Sequence, residues 1–386
     1  MAADTTDGAE RLRSSMKEAR RIVIKIGSNV LVERTGRPDL VRIVSLVAEI
    51  ARLRKAGKEV VVVSSGAIAA GVEAMGLKSR PKTLPELQMA AAVGQVRLMT
   101  LYDRFFAEEG CKIGQVLLTH SDLENRARHL NARNTMMTLL RAGVVPIINE
   151  NDVVAVDEIK FGDNDILASL VTVLIDSELM LLLSTTNGLH APADDGKAKR
   201  VPYLASVTEE SLALAIGKGG EFSSGGMDSK LRSAQVAVDV GAMVVIVDGR
   251  EQNILKRVLA GEDIGTLIAH PSSGKQSSLS GRKRWIAFFH KGNGAVIIDE
   301  GAMRAIEKSG KSLLPIGIQQ VEGEFSKGTL VDIRGVDGRL VGRGLVDFSS
   351  EDIRMMMGKK SSDLAQVPGS GDYKEVIHRD NMVVLI

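Results

Sequence analysis

The sequence contains a single cysteine, Cys111, among its 386 residues. One thiol excludes an internal disulfide framework and a zinc site built from several cysteines, and it agrees with a reducing compartment. An excess of charge of one sign is also missing, because 50 Lys and Arg against 48 Asp and Glu leave a net charge of +2. The composition therefore provides no chain-wide basic field for nucleic acid, and any such role must be local.

Long uninterrupted apolar segments are absent as well. The longest apolar stretch, LASLVTVLIDSELMLLL, is broken by Asp176 and Glu178, which predicts a buried helix and strand and no membrane span. Residues 1–20 mix acidic and basic side chains without an apolar run. We expect a flexible tail there and neither a signal peptide nor an anchor, and hence a cytoplasmic protein.

The length and the hydrophobic content of 44% are sufficient for two domains. Over residues 21–270, short β-branched runs such as RIVIKIG and KEVVVVSS alternate with longer helical patterns. This alternation predicts an α/β/α sandwich with a mainly parallel sheet. Residues 271–281 are rich in Ser and Gly and predict a linker, and the short strands and Gly turns of residues 282–386 predict a small β-barrel-like domain.

Small polar residues follow two of the first strand patterns. Ligands of open parallel sheets gather at the carboxyl ends of the strands. Lys25 lies in the first strand pattern, and Gly27 and Ser28 follow it with backbone N–H groups suited to a phosphate. Ser65 and Gly66 end the next strand and begin an alanine-rich helix, whose N-terminus favours an anion. A solvent-facing lysine and an ordinary serine N-cap are the alternatives at these two places.

In a third candidate segment, SSGGMDSK at residues 223–230, Ser224, Gly225 and Gly226 lie ahead of a helical pattern that carries Lys230 and ends at Gly241. Lys230 in the first turns opposes the helix dipole, so its position is unfavourable unless a phosphate shares the site. The alternative is a flexible surface loop with a solvated lysine. No segment has the G-x-x-x-x-G-K-[ST] pattern of a P-loop.

Two clusters of acidic and amide residues, 149–152 and 163–165, lie close together in the sequence. Neighbouring carboxylates raise each other's pKa, so a positive group is expected among them. Neither cluster has the spacing of a calcium loop. The positive group can be a lysine, a substrate ammonium or Mg²⁺ carried by nucleotide phosphates. If Lys25 and Lys230 reach this edge of the sheet, an Asp of the second cluster can lie between them.

In this order the motifs resemble the amino acid kinase family, and within it the enzymes that phosphorylate the side-chain carboxylate of glutamate. The resemblance covers most of residues 21–270 and rests on segments that include VIKIGSNVL, VVSSGAIAAG, VPIINENDVVAVDEIKFGDND and SSGGMDSKL. The end of the chain, from RKRWI to HRDNM, resembles the PUA domain that many bacterial enzymes of this kind carry.

The resemblance implies a role for each matching residue. Lys25 and Lys230 would stabilise the transferring phosphoryl group, with Asp165 positioned between them. The residues matching the glutamate site are Ser65, Gly66, Asn149, Asp152 and Asn164. Those matching the ATP site, besides both lysines, are Gly27, Ser28, Ser184, Thr185, Ser224, Gly225, Gly226, Met227, Asp228 and Ser229. One departure concerns Thr185 and His190, which stand where the family usually has Asp and Tyr, on the adenine and ribose side.

The same resemblance implies L-glutamate and ATP as substrates and Mg²⁺ on the nucleotide phosphates as cofactor. It also implies proline as a feedback inhibitor, a homo-oligomer, and a glutamyl-phosphate reductase as the next enzyme. Acetylglutamate kinase and aspartokinase activities are alternatives, although acetylglutamate has no ammonium for Asp152. An RNA-binding protein is an alternative of another class, because PUA domains commonly bind RNA. Residues 282–386 carry 16 Lys and Arg against 14 Asp and Glu, a net charge of +2, which does not favour it.

Overall fold

The chain folds as two compact units, Met1–Ser277 and Ser278–Ile386. The computed structural model describes residues 2–33, 37–155, 164–192, 198–215, 226–273, 283, 286–287, 294–359 and 375–385. The boundary between the units falls inside the segment in which the sequence predicts a linker. None of the described helices is long and apolar enough to cross a membrane.

An eight-stranded sheet forms the centre of the first unit in the described part of the chain. Its strands are β1 Arg21–Ile26, β2 Glu59–Ser64, β3 Lys112–Leu118, β4 Val144–Glu150, β5 Leu179–Ser184, β8 Tyr203–Leu204, β9 Met243–Asp248 and β10 Thr266–Ile268. They lie in the order β3-β4-β2-β1-β5-β9-β10-β8, and those from β3 to β9 are parallel to their neighbours. β10 is antiparallel to β9. The predicted mainly parallel sheet is confirmed.

Helices cover both faces of this sheet. Ile22, Ile24 and Ile26 of β1 belong to one apolar core with residues of three helices, Leu40–Lys55, Leu84–Glu108 and Ile254–Leu259. Because side chains alternate along a strand, Val23 and Lys25 point to the opposite face. That face is covered by the buried helix Asn164–Ile175, which contacts the helices Arg126–Arg141 and Met227–Val238. The result is the predicted α/β/α sandwich.

The N-terminal segment is a helix, which corrects the expectation of a flexible tail over residues 1–20. It runs over Ala2–Ser15 and continues as a 3₁₀ turn over Met16–Glu18. Leu12 and Met16 are part of the main apolar core. The buried Arg13 donates hydrogen bonds to the backbone carbonyls of Pro202, Glu262, Ile264 and Gly265. These partners lie about 190 or more positions away, so local composition does not reveal them.

A close helix crossing supports the loop that follows β2. The helix Ala67–Ala74 packs on Leu84–Glu108, and a Cβ atom at Gly71 would lie 1.8 Å from the carbonyl oxygen of Ala90. A Cβ atom at Gly94 would likewise lie 1.8 Å from the carbonyl oxygen of Ala67. Only glycine permits this approach, so the two residues fix how closely the helices pack. The remaining short elements of this unit are the helices Ser28–Leu31, His120–Glu124 and Glu209–Ala215 and the antiparallel strands β6 His190–Pro192 and β7 Ala198–Arg200.

The second unit has its own sheet and its own apolar core. The described strands are β11 Ala295–Ile298, β12 Ile318–Glu322, β13 Leu330–Gly335, β14 Leu340–Leu345 and β15 Met382–Val384. They pair in the order β12-β11-β13-β14-β15, with only β11 and β13 parallel. Helices Glu300–Ser309 and Ser350–Met356 begin with the side-chain caps of Asp299 and Ser349. The predicted small β-rich domain with helices is confirmed.

Candidate active site

The carboxyl ends of four parallel strands form one edge of the first sheet. Ile26 at the end of β1 pairs with Ser64 of β2 on one side and with Leu183 of β5 on the other. Ile148 near the end of β4 pairs with Val63 of β2. The polar residues that follow these strands therefore meet at this edge, as the sequence predicted.

A buried carboxylate bridges two buried lysines at this edge. Oδ1 of Asp165 lies 2.5 Å from Nζ of Lys25, and Oδ2 lies 3.1 Å from Nζ of Lys230. The Asp165 side chain is fully buried, and those of the lysines are 6% and 7% exposed. Among the described residues, two ammonium groups share this one carboxylate, and such a pair of cations suits an anion such as a phosphoryl group.

The fold brings these three side chains together because the helix Asn164–Ile175 packs both on β1 and on the helix Met227–Val238. Lys25 lies inside β1 and points to the face that the helix Asn164–Ile175 covers. Asp165 is in the first turn of that helix. Lys230 is in the first turn of the neighbouring helix Met227–Val238, whose N-cap Gly226 provides no side-chain cap. The sequence predicted the encounter, and the catalytic role of the three residues stays a prediction.

A network of amide side chains lies next to the lysines. Nδ2 of Asn164 is 2.8 Å from the Ser64 carbonyl oxygen, 3.0 Å from Oγ of Ser65 and 2.9 Å from Oδ1 of Asn149. Nδ2 of Asn149 in turn donates to Oε1 of Gln95 over 2.8 Å. The network therefore joins the end of β2, the end of β4 and the start of the helix Asn164–Ile175.

Gly66 turns the chain from β2 into the helix Ala67–Ala74. Its φ angle is +102°, in the left-handed region that glycine adopts without strain. The Ser64 hydroxyl beneath this turn is 2.9 Å from the buried Tyr102 hydroxyl. The Ser64–Tyr102 hydrogen bond thus attaches the loop that carries Ser65 to the helix Leu84–Glu108.

Asp152 lies in the turn that follows β4. Burial raises the pKa of its carboxyl group to about 6, against a smaller lowering by the charge of Arg80. Within the described residues no hydrogen bond or ion pair engages this carboxylate. Because this half-buried acid makes no ion pair within the described residues, a substrate ammonium, which has the right charge, can bind it.

The chain matches known proteins along almost its whole length. Residues 20–248 match the amino acid kinase family, and residues 294–368 match the PUA domain. This chain belongs to the amino acid kinase family. Its curated relatives include the glutamate 5-kinase of Moorella thermoacetica, 43% identical over 97% of this chain and 98% of that protein. The glutamate 5-kinase of Cupriavidus pinatubonensis is 45% identical over 97% of this chain and all of that protein.

Solved structures similar to this family member include two other kinases. Carbamate kinase from Giardia lamblia bound to AMP-PNP has a TM-score of 0.46 and 18% identity, and the match covers 66% of this chain and 99% of that one. UMP kinase from Bacillus anthracis has a TM-score of 0.44 and 16% identity, over 65% of this chain and 96% of that one.

The residues predicted to contact the nucleotide lie at the end of β5 and in the helix Met227–Val238. Ser184 ends β5, and its carbonyl oxygen accepts from the Gly249 backbone N–H over 2.8 Å. The Thr185 carbonyl oxygen accepts from the Arg250 guanidinium over 2.8 Å. Oδ1 of Asp228 and Oγ of Ser229 are buried without a hydrogen-bond partner among the described residues. These oxygens are therefore available to a ligand.

One expected phosphate contact is corrected by the structure. The backbone N–H of Gly27 donates to the Leu183 carbonyl oxygen over 3.1 Å, so it is engaged in the sheet. A Cβ atom at Gly27 would lie 3.8 Å from Nζ of Lys25. Gly27 therefore leaves space beside the lysine ammonium, whereas the sequence had given it a phosphate-binding N–H. Ser28 begins the helix Ser28–Leu31.

Two of the predicted ATP-site residues lie outside the part of the chain that the structure describes. Ser224 and Gly225 lie outside the described residues, whereas Gly226 and Met227 start the helix that carries Lys230. His190, the second departure from the family pattern, is an exposed residue of β6 whose Nδ1 lies 3.1 Å from the Gly188 carbonyl oxygen. Gln95 and Tyr102 of the helix Leu84–Glu108 were missed, because a lone polar residue in a helix gives no motif.

Proposed function

We propose that this chain transfers the γ-phosphoryl group of ATP to the side-chain carboxylate of L-glutamate, giving L-glutamyl 5-phosphate and ADP in the first step of proline biosynthesis. The observation that carries the proposal is the Lys25–Asp165–Lys230 bridge beside the Asn164–Ser65 hydrogen bond. It places cations for a phosphoryl group next to neutral groups for an organic substrate. Relatives that are glutamate 5-kinases, 43–45% identical over 97% of this chain, support the assignment.

The reaction needs no general base at this site. A glutamate carboxylate is already ionised at neutral pH and can attack the γ-phosphorus in line with the departing ADP oxygen. Catalysis then consists of holding the reactants in line and offsetting the charge that spreads over the phosphoryl oxygens. Lys25 and Lys230 supply that charge, and Asp165 keeps both ammonium groups in place and reduces their mutual repulsion.

Ser65 has one hydrogen left for the substrate. Its Oγ accepts a hydrogen bond from Nδ2 of Asn164, so its own O–H can donate elsewhere. We assign this hydrogen to a carboxylate oxygen of glutamate. Asp152 lies at the end of the neighbouring strand and provides the negative charge for the substrate ammonium. The site thus reads a carboxylate and an ammonium with different residues.

ATP-dependent phosphoryl transfer implies a divalent cation, and we propose that it is Mg²⁺. Among the described residues no group of three or more His, Cys, Asp and Glu side chains is arranged to hold a metal. The Asp165 oxygens face the two lysines. Asp228 and Ser229, next to Lys230 in the chain, each have a buried oxygen without a hydrogen-bond partner among the described residues and are candidate ligands. This donor set fits a cation held mainly by nucleotide phosphates, with those two residues assisting. When bound, the cation would neutralise charge on the phosphates.

Regulation, assembly and location belong to the same proposal. We propose a cytoplasmic homo-oligomer that proline inhibits by feedback and that supplies its acyl phosphate to a glutamyl-phosphate reductase. Proline carries an ammonium and a carboxylate, the two groups that Asp152 and Ser65 are placed to bind. The lone, half-buried thiol of Cys111 agrees with a reducing compartment.

The substrate is the point on which the alternatives differ. In an acetylglutamate kinase the half-buried Asp152 would lack its proposed partner, since that substrate has no ammonium. The test is ATP-dependent formation of hydroxylamine-trapped acyl phosphate with L-glutamate, N-acetyl-L-glutamate and L-aspartate. We expect product with L-glutamate only. Product with either other acid at equal efficiency would overturn the assignment, and RNA retention by the full chain without acyl phosphate would favour a binding protein.

A further inference from the structure

Gln95 lies beside the glutamate site in the middle of the helix Leu84–Glu108 and is half-buried. Its Oε1 accepts a hydrogen bond of 2.8 Å from Nδ2 of Asn149, a residue 54 positions away. Gln95 is not among the residues that contact Lys25 or Lys230 in the Asp165 bridge. Its hydrogen bond to Asn149 is the contact through which we expect it to influence the reaction.

The Asn149 amide can serve its neighbours in only one orientation. Its Oδ1 accepts from Nδ2 of Asn164 at 2.9 Å and from the Glu150 backbone N–H at 3.0 Å. Rotation of the amide by half a turn would set Nδ2 against these two donors, and it would set Oδ1 against Oε1 of Gln95. Gln95 is the acceptor that occupies the nitrogen side, so it completes the set of contacts that fixes the amide.

The same contact directs the remaining hydrogen of Asn149. An amide nitrogen carries two hydrogens, and Gln95 accepts one of them. The second is held in a fixed direction at the carboxyl end of β4, where Asp152 also lies. It is therefore available as a donor to a carboxylate oxygen of the substrate.

Neighbouring residues of the helix support both halves of the glutamate site. Gly94 permits the close contact with Ala67 and so fixes the turn that presents Ser65. Gln95 holds Asn149, and Gln88 two turns earlier donates to the Ala155 carbonyl oxygen at 3.2 Å, just beyond the Asp152 turn. The helix Leu84–Glu108 therefore contacts both the segment that follows β2 and the segment at the end of β4.

We propose that Gln95 is a positioning residue for glutamate, which acts by fixing the Asn149 amide. The proposal rests on the proposed function, since it assigns the substrate end of that reaction. Gln95→Met keeps the length and bulk of the side chain but removes the acceptor. It should raise the KM for glutamate about 2- to 10-fold, the range of one neutral hydrogen bond. The KM for ATP and kcat should stay within about twofold.

A double-mutant cycle separates positioning from a general loss of structure. If Gln95 acts through Asn149, Gln95→Met should add no further increase in KM to that of Asn149→Ala, because the contact is already absent. Gln95→Glu, which retains an acceptor oxygen, should bind glutamate more tightly than Gln95→Met. Thr100→Val, at an exposed position of the same helix, is the matched control and should behave as wild type. Calorimetric titration of each variant with glutamate provides a readout that needs no turnover.

The outcomes are distinguishable. Independent, multiplicative effects of Gln95→Met and Asn149→Ala, or a glutamate KM unchanged in Gln95→Met, would overturn the positioning role while leaving the proposed function intact. Equal losses for the glutamate and ATP sites would show a structural role and would also overturn it. If the wild-type chain neither binds glutamate nor forms its acyl phosphate, the proposed function fails, and the role of Gln95 fails with it.

Discussion

The ammonium nitrogen of Lys25 lies 2.5 Å from Oδ1 of Asp165, although the two residues are 140 positions apart (165 − 25). Both side chains are almost completely withdrawn from solvent, so neither charge can rely on water. Buried ion pairs add little net stability, but removing one partner leaves the other uncompensated. The stability of the first unit therefore depends on keeping both partners of the Lys25–Asp165 ion pair.

Asp165→Asn should lower the free energy of unfolding by about 3 to 5 kcal/mol, because it removes the carboxylate that the two neighbouring buried ammonium groups share. Urea unfolding at neutral pH measures the loss. Addition of ATP should recover part of it, since phosphates supply the missing negative charge. Asp103→Asn, an exposed residue of the helix Leu84–Glu108, is the control and should unfold like wild type. A loss below about 1 kcal/mol in Asp165→Asn would contradict the role of the bridge.

Lys230→Met should reduce kcat by at least about a hundredfold while changing substrate KM values far less. A charge at the transferring phosphoryl group acts mainly in the transition state, and one oriented donor of this kind contributes on the order of 3 to 4 kcal/mol. Steady-state kinetics with varied glutamate and ATP measure both parameters. Lys112→Met, at the opposite end of the sheet, should leave them unchanged. A wild-type kcat in Lys230→Met would refute the assignment.

Glutamate binding should weaken as the pH falls from 7 to 5. The pKa of Asp152 is raised to about 6 by burial, and a proton on this carboxylate removes the charge that attracts the substrate ammonium. The KM for glutamate should therefore rise through this range, while the KM for ATP does not. In Asp152→Asn the glutamate KM should be high at every pH. A pH dependence that persists in this variant would assign the effect to another group.

In the ligand-free protein, ionisation of Asp152 should have the opposite effect and lower the stability of the fold as the pH rises. Because the folded-state pKa of Asp152 lies above its ordinary value, its favourable contribution is complete at low pH and is lost as the pH rises through about 6. Asp152→Asn should therefore resist urea better than wild type at pH 8 and equally well at pH 4. Better resistance at pH 4 alone would contradict the burial of an ionised carboxylate.

Gly94→Ala should destabilise the protein even though alanine is the better helix former. The new Cβ atom would lie 1.8 Å from the Ala67 carbonyl oxygen, so the helices must separate, at a cost of about 1 to 3 kcal/mol. Gly8→Ala, in a helix where a Cβ atom meets nothing within 4 Å, is the matched control and should be neutral or stabilising. Thermal unfolding compares the two. Equal changes in Tm for Gly94→Ala and Gly8→Ala would mean that the two packed helices can separate without cost.

A chain that ends at Ser277 should fold and phosphorylate glutamate. The two units have separate apolar cores, and the lysines, Asp165 and the amide network lie in the first. Melting of the shortened chain and its acyl-phosphate formation should be compared with those of the full chain. A soluble, folded but inactive product would mean that the second unit contributes to catalysis, and aggregation would mean that it covers an apolar surface.

Local patterns were sufficient for the sheet and for the centre of the site. RIVIKIG became β1, and GGMDSK contains the start of the helix that carries Lys230, because β-branched runs and glycine-rich helix starts are determined by short-range preferences. The rule that parallel strands end at one edge predicted that Lys25 could meet an Asp of the second acidic cluster, and the resemblance to the family singled out Asp165. The location of these site residues could therefore be predicted from the order of strands and helices in the sequence.

Contacts that depend on packing between distant elements could not be read in this way. Arg13 is buried because carbonyl groups of Pro202 and of residues 262–265 accept its hydrogen bonds, and all of these partners are far from it in the sequence. Gln95 finds its acceptor role only when its helix lies across the end of β4. The pKa of Asp152 is likewise a property of its buried surroundings, which the sequence does not list residue by residue.

The order in which the site residues occur also sets when the site comes into existence. Lys25 is in the first strand and Lys230 is 205 positions later (230 − 25), close to the end of the first unit. A nascent chain that has been synthesised as far as Asp165 contains only one of the two lysines that this carboxylate contacts. The second lysine joins only when the helix Met227–Val238 has been made and has docked, so the complete Lys25–Asp165–Lys230 arrangement forms late in synthesis.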